Sequence, residues 1–163
     1  MKNSTFKSKS SSDWDKKALH FSQNVLNSPY TKKFTKRVDT SDCETLLDVG
    51  SGPATISLAL AKKLKNIYAL DYSPTMLELA KQNAKEQNIE NLITIHKSWY
   101  DSWEDVPNAD IVIASRSMEV KDIKKALIKL NEKANKRVYI TTKVGGSFID
   151  KEILAQIKRD IIP

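Results

Sequence analysis

The chain has 163 residues, 40% of them apolar and 29% charged, which is the balance of a globular domain rather than of a disordered or fibrous chain. No run approaches the roughly 18 consecutive apolar residues of a membrane helix, and the single cysteine, Cys43, excludes both an internal disulfide framework and a cysteine metal cluster. The net charge of +7 is lopsided: residues 1–40 hold nine of the 27 Lys and Arg but only three of the 20 acids, so the excess sits in an N-terminal extension. That extension lacks the apolar core of a secretory signal, and a reducing, cytoplasmic setting is expected.

In chain order, residues 1–12 are polar, Ser- and Lys-rich and without period, and read as a disordered leader. Residues 13–40 read as an N-terminal helical extension or lid. Asp13 caps a helix with Trp14, Ala18, Phe21 and Val25 on one stripe, Asn27-Ser28-Pro29 stops it, and a second short helix carries Tyr30, Phe34 and Val38. From residue 41 to 163 strands and helices alternate. Strands are expected at Leu46–Val49, Ile67–Leu70, Leu92–His96, Ile111–Ala114 and Val138–Thr141. Helices are expected over Pro53–Lys63, with Pro53 in the first turn, from Ser73-Pro74 to about Gln87, and from Asp122 to about Ala134. A last helix, carrying Phe148, Ile149, Ile153, Leu154 and Ile157, follows the Gly145-Gly146 turn. Such alternation implies an α/β fold with a parallel sheet and right-handed crossovers. A pocket at the ends of the first and fourth strands requires the order 3-2-1-4-5.

The chemistry concentrates in Leu46-Leu47-Asp48-Val49-Gly50-Ser51-Gly52-Pro53-Ala54-Thr55, a buried strand running into a glycine turn and a helix. Gly50 and Gly52 let the backbone approach a ligand or take a turn that a Cβ forbids, and the helix start offers free N–H groups. Asp71 closes the next apolar run 21 residues after Gly50, where a carboxylate accepts hydrogen bonds from both hydroxyls of a ribose. Thr55 stands in place of the third glycine of a dinucleotide fingerprint, and Asp48 repels a pyrophosphate, so a nicotinamide-dependent dehydrogenase is the weakest reading.

The segment Asp48 to Ala54 resembles the first motif of class I S-adenosylmethionine-dependent methyltransferases, and Leu70-Asp71-Tyr72-Ser73-Pro74-Thr75-Met76-Leu77 resembles their second. The resemblance covers about Leu46 to Ile161 and implies a three-layer Rossmann-like sheet with helices on both faces. The implied cofactor is S-adenosyl-L-methionine. It implies that Asp48, Gly50, Ser51 and Gly52 surround the methionine part of that cofactor, that Asp71 takes the ribose, and that Tyr72 and Met76 flank the adenine. The family's third strand ends in a Gly-Asp pair whose acid bonds the adenine amino group. Here Trp99 stands at that place, to wall the base together with Ser98. The fourth strand ends Ala114-Ser115-Arg116-Ser117, so Ser115 is expected beside the transferred methyl. His20, Tyr30 and Arg116 are candidates for the acceptor side, Arg116 through a bidentate contact to an acidic group. No catalytic residue and no metal ligand is singled out.

Methyl transfer needs chiefly a held nucleophile and a dry site, so a missing catalytic triad does not argue against an enzyme. A small-molecule acceptor is the first expectation. An RNA acceptor using the basic N-terminal region is the second, and a non-catalytic cofactor-binding module the third. No membrane partner is expected. Because the family continues past the fifth helix with two more strands, a truncated chain, or a homo-oligomer masking the apolar fifth-strand edge, is expected as well.

Overall fold

The computed structural model describes residues 28–142. The expected leader, the helix of Trp14 to Val25 with His20, and everything from the Gly145-Gly146 turn onward lie outside the described residues. The described elements are α1 (Pro29–Thr35), β1 (Thr45–Val49), α2 (Thr55–Leu60, closed by a 3-10 turn Ala61–Lys63), β2 (Asn66–Asp71), α3 (Pro74–Glu86), β3 (Leu92–His96), β4 (Ala109–Ser115), α4 (Ile123–Lys133) and β5 (Ala134–Thr141). The strands form one parallel sheet in the order β3-β2-β1-β4-β5, as the alternation of elements implied. Among the described residues no helix is long and apolar enough to cross a membrane.

The central strands β1 and β4 are apolar on both faces because both faces are covered. Leu46, Ile67, Ile111 and Ile113 point to one side, where they pack with Phe34 and Val38 of the α1 region and with Ile56, Leu60 and Leu64 around α2. Leu47, Val49, Leu70, Val112 and Ala114 point to the other, against Leu130 of α4 and against Trp103 and Val106 of the helix-free β3–β4 connection. α3 lies on the α2 side, where Ala80 and Ala84 meet Ala54, Leu58 and Ala69. The small side chains there let helix and sheet backbones approach closely.

Two element boundaries differ from the sequence reading. Pro53 does not open α2. Gly50, Gly52 and Ala54 all have positive φ, 68°, 54° and 61°, so the turn continues one residue further, with the Ala54 N–H donating to Ser51 O at 3.0 Å. The Pro53 carbonyl is taken by Asn83 Nδ2 from α3 at 3.1 Å. β5 begins at Ala134 rather than Val138, straight from the last residue of α4 and without a loop. Lys136 and Arg137 are accommodated in this edge strand because acids stand opposite: Arg137 pairs with Asp42 and, at 3.3 Å, with Asp39, while Lys136 lies 3.8 Å from Asp42 and 3.9 Å from Asp110.

Leu130 is fully buried under the sheet and Leu127, one turn earlier on α4, is 44% exposed. Leu130→Ala is therefore expected to cost about 2–5 kcal/mol and Leu127→Ala less than about 1 kcal/mol, compared by urea unfolding.

Candidate functional site

The glycine turn after β1 is built first against the sheet. The N–H groups of Gly50 and Ser51 both donate to Leu70 O, at 2.8 and 3.1 Å, so the turn is tied to the end of β2. The Gly52 N–H donates to Asp71 Oδ2 at 2.8 Å and the Ser73 N–H to Asp71 Oδ1 at 2.9 Å. One carboxylate thus joins the two motifs. Burial pushes the Asp71 carboxyl up, against the pull of the Ser73, Gly52 and Tyr72 N–H groups. Ser73 also caps α3, accepting from the Met76 N–H at 3.1 Å.

The two glycines have different reasons to be glycine. A Cβ on Gly50 would lie 2.3 Å from the Ser117 Cβ, so Gly50 makes room for the chain leaving β4. A Cβ on Gly52 would meet only Met76 Sδ, at 4.0 Å, so that side of the turn is open to a ligand. Met76 itself is 2% exposed and lies beneath Gly52. Ser51 Oγ is buried without a hydrogen-bond partner, a costly state for a hydroxyl that no ligand meets.

Asp48 lies on the α2 side of β1, 2% exposed. Its Oδ2 accepts the Ser57 hydroxyl at 2.6 Å, and the Ser57 N–H turns to the same carboxylate. The start of α2 is therefore occupied by the chain's own anion. Of the N–H groups expected free at this helix start, that of Ser57 is taken by Asp48, and a buried carboxylate at this end disfavours a phosphate. Burial pushes the Asp48 carboxyl up to about 6, with the Ser57 hydroxyl opposing and the Asp71 charge adding to it.

The β3–β4 connection closes another side. Ser98 N–H donates to Asp101 Oδ2 at 2.6 Å, and the Ser98 hydroxyl accepts the Tyr100 N–H at 3.2 Å. Trp99 is half-buried, its ring 5.4 Å from that of Trp103, and its Nε1 donates to Ser117 O at 3.1 Å. Trp99 is thereby held next to the residue that abuts Gly50. Tyr72 is half-buried and its carbonyl contacts His96 Nε2 at 3.1 Å.

The end of β4 divides its residues. Ser115 was expected beside the transferred methyl. Its hydroxyl instead lies 2.6 Å from Tyr30 Oη and 3.2 Å from Thr141 Oγ1, with Tyr30 Oη also 2.6 Å from Thr141 Oγ1, so it faces α1 and β5. Ser117, which the sequence reading did not select, holds the place beside the glycine turn, its hydroxyl donating to Val49 O at 2.7 Å. The reversal happens at Arg116, at φ 59°, a strained conformation for a residue with a side chain. Nothing in the sequence announces it. The exposed Arg116 guanidinium lies over the Tyr30 ring, 4.0 Å from its centroid, so two of the three acceptor-side candidates touch. The third, His20, lies outside the described residues.

The fold is a five-stranded parallel α/β sheet of order β3-β2-β1-β4-β5 with an acid-clamped glycine turn at the β1 end. Residues 40–160 match the family described as "Methyltransferase domain", and the chain belongs to that family. It is 39% identical over 151 residues to an "Uncharacterized protein" of Haemophilus influenzae, covering 91% of this chain and 56% of that one. Over 78 residues it is 32% identical to the release factor glutamine methyltransferase of Aliivibrio fischeri, covering 47% of this chain and 28% of that enzyme. The chain thus spans little more than half of the first relative and under a third of the second. In fold it is similar to a SAM-dependent methyltransferase from Aquifex aeolicus, with a TM-score of 0.65, 18% identity, and coverage of 94% of this chain and 88% of that one.

Two predictions follow from the packing of this turn. Gly50→Ala forces the Ser117 clash and is expected to cost about 2–4 kcal/mol, whereas Gly52→Ala costs only the left-handed strain, about 1–2 kcal/mol; chemical denaturation of both compares them. For Asp48 the folded pKa, about 6, lies above the unfolded value near 3.8, so the folded state binds the extra proton and stability falls as pH rises from about 4 to 6. Asp48→Asn removes that loss. Relative to wild type it should gain about 3 kcal/mol between pH 4 and pH 7 in urea titrations.

Proposed function

We propose that the chain is an S-adenosylmethionine-dependent methyltransferase whose cofactor lies across the Gly52 side of the glycine turn. The observation that carries this reading is the Asp71 carboxylate. It is 6% exposed and holds the Gly52 and Ser73 N–H groups, so it is fixed at the β2 end, with its remaining lone pairs left for a ribose diol. The rest of the turn fits the same group. Gly52 leaves space, the orphaned Ser51 hydroxyl offers a hydrogen bond, and Trp99 supplies an aromatic wall. Asp48 is sealed against Ser57, so it acts on an ammonium or sulfonium through its field across the turn rather than by an exposed contact. Once bound, the cofactor supplies an electrophilic methyl carbon.

What remains for the protein is to hold the acceptor in line and keep water out. Ser117 and Trp99 line the β4 side of the turn, and Arg116 with Tyr30 forms the rim beyond it. The guanidinium suits an acceptor bearing a carboxylate or phosphate. A small-molecule acid is one such acceptor; the charge of the neighbouring helix favours a polyanion.

Calorimetric titration with S-adenosylmethionine and S-adenosylhomocysteine tests the reading, and a folded chain that binds neither would overturn it. Asp71→Ala is expected to weaken binding by about 1.5–3 kcal/mol. Gly52→Ala should abolish most binding while the fold persists, which separates a ligand role for this glycine from a packing role.

A further inference from the structure

Resting on the reading of the chain as a methyltransferase, we propose that the outer surface of α1, continued by the 3-10 turn after α2, docks single-stranded RNA and leads it to the Arg116 rim. α1 turns Phe34 inward and leaves Lys32 and Lys33 exposed, and the turn that ends it leaves Lys36 and Arg37 exposed before the buried Val38. Lys32 and Lys36, and Lys33 and Arg37, stand four residues apart, and the turn that ends the helix continues it through Arg37 (Lys36 N–H to Lys32 O, Arg37 N–H to Phe34 O), so the two pairs share one side. α1 packs on α2, whose closing turn exposes Lys62, Lys63 and Lys65. Residues 28–38 and 53–66 contain seven Lys and Arg and no Asp or Glu. None of the seven makes an ion pair among the described residues. The nearby acids Asp39 and Asp42 are engaged by Arg137 and Lys136.

The surface is tied to the site. At the head of α1, Tyr30 bonds to Ser115 and Thr141 and carries the Arg116 guanidinium over its ring. A charged backbone lying along α1 therefore ends at the rim of the proposed pocket. The exposed large apolar side chains of the described residues are Ile93, Tyr100, Ile123, Leu127, Ile128 and Ile140. None is on α1 or α2, so the basic face has nothing to insert into a bilayer, and charge alone is a weak anchor there.

The test uses the full chain and a fluorescently labelled single-stranded RNA of mixed sequence, with affinity read by anisotropy between about 50 and 200 mM salt. The double variant Lys33→Glu, Lys36→Glu is expected to bind RNA at least about tenfold more weakly. Its log–log salt slope should be smaller in magnitude by about 1.4, for two lost phosphate contacts. Its calorimetric affinity for S-adenosylmethionine should be unchanged. The control Lys124→Glu, Lys125→Glu changes charge equally on α4, across the sheet, and should leave RNA affinity unchanged. Equal losses in both variants, or wild-type binding to phosphatidylserine vesicles but not to RNA, overturn the proposal. A wild-type chain that binds RNA through α1 but does not bind S-adenosylmethionine sinks the cofactor reading and leaves this surface standing.

Discussion

The architecture of the site depends on one carboxylate. Asp71 ends β2, and each of its oxygens accepts a backbone N–H, one from Gly52 and one from Ser73. The first fixes the turn after β1 and the second fixes the turn into α3. Together with the two N–H groups of Gly50 and Ser51 on Leu70 O, this bond pattern makes the ends of two neighbouring strands one rigid ledge. A buried acid is costly, and burial does raise its pKa. The backbone donors lower that cost, so the carboxylate is held at the end of β2 without an ion pair among the described residues.

Asp48 is the counterweight. It sits under the same turn, more deeply buried than Asp71, and closes the start of α2 with the hydroxyl and N–H of Ser57. Two buried carboxylates, Asp71 at the end of β2 and Asp48 behind the turn, make this end of the sheet electrostatically suited to a cation and hostile to a pyrophosphate. This is a property of the β1 strand parity. Leu47 and Val49 face α4, so Asp48 must face α2, and a small hydroxyl at position 57 is what lets it do so.

The sheet order, the glycine turn after β1, the acid ending β2 and the role of Ser73 in opening α3 were legible because they rest on local signals: apolar runs, glycine spacing and a Ser-Pro cap. The division of the β4 end was not. Ser115 and Ser117 are the same residue type two positions apart, and in a continuing strand they would share a face. The left-handed Arg116 separates them, sending one to α1 and the other to Gly50, and nothing local marks that residue for a positive φ. The early start of β5 was hidden for a different reason. Ala134 to Arg137 form no apolar run, and the acids that pair with Lys136 and Arg137, namely Asp39, Asp42 and Asp110, are distant in sequence. The basic face was visible as a cluster of charge, but its continuity with the 3-10 turn required the packing of α1 on α2.

The three hydroxyls of Tyr30, Ser115 and Thr141 form a closed triangle, each within hydrogen-bond distance of the other two. Three donors and three acceptors in a ring can be satisfied in two opposite circulations of their protons, with the same number of bonds in each. α1 is thus fastened to the ends of β4 and β5 by a knot whose polarity is undecided. A polar group hydrogen-bonding to any one of these oxygens would favour one circulation and orient the other two hydroxyls at once, so the three protons of this anchor are set together rather than singly.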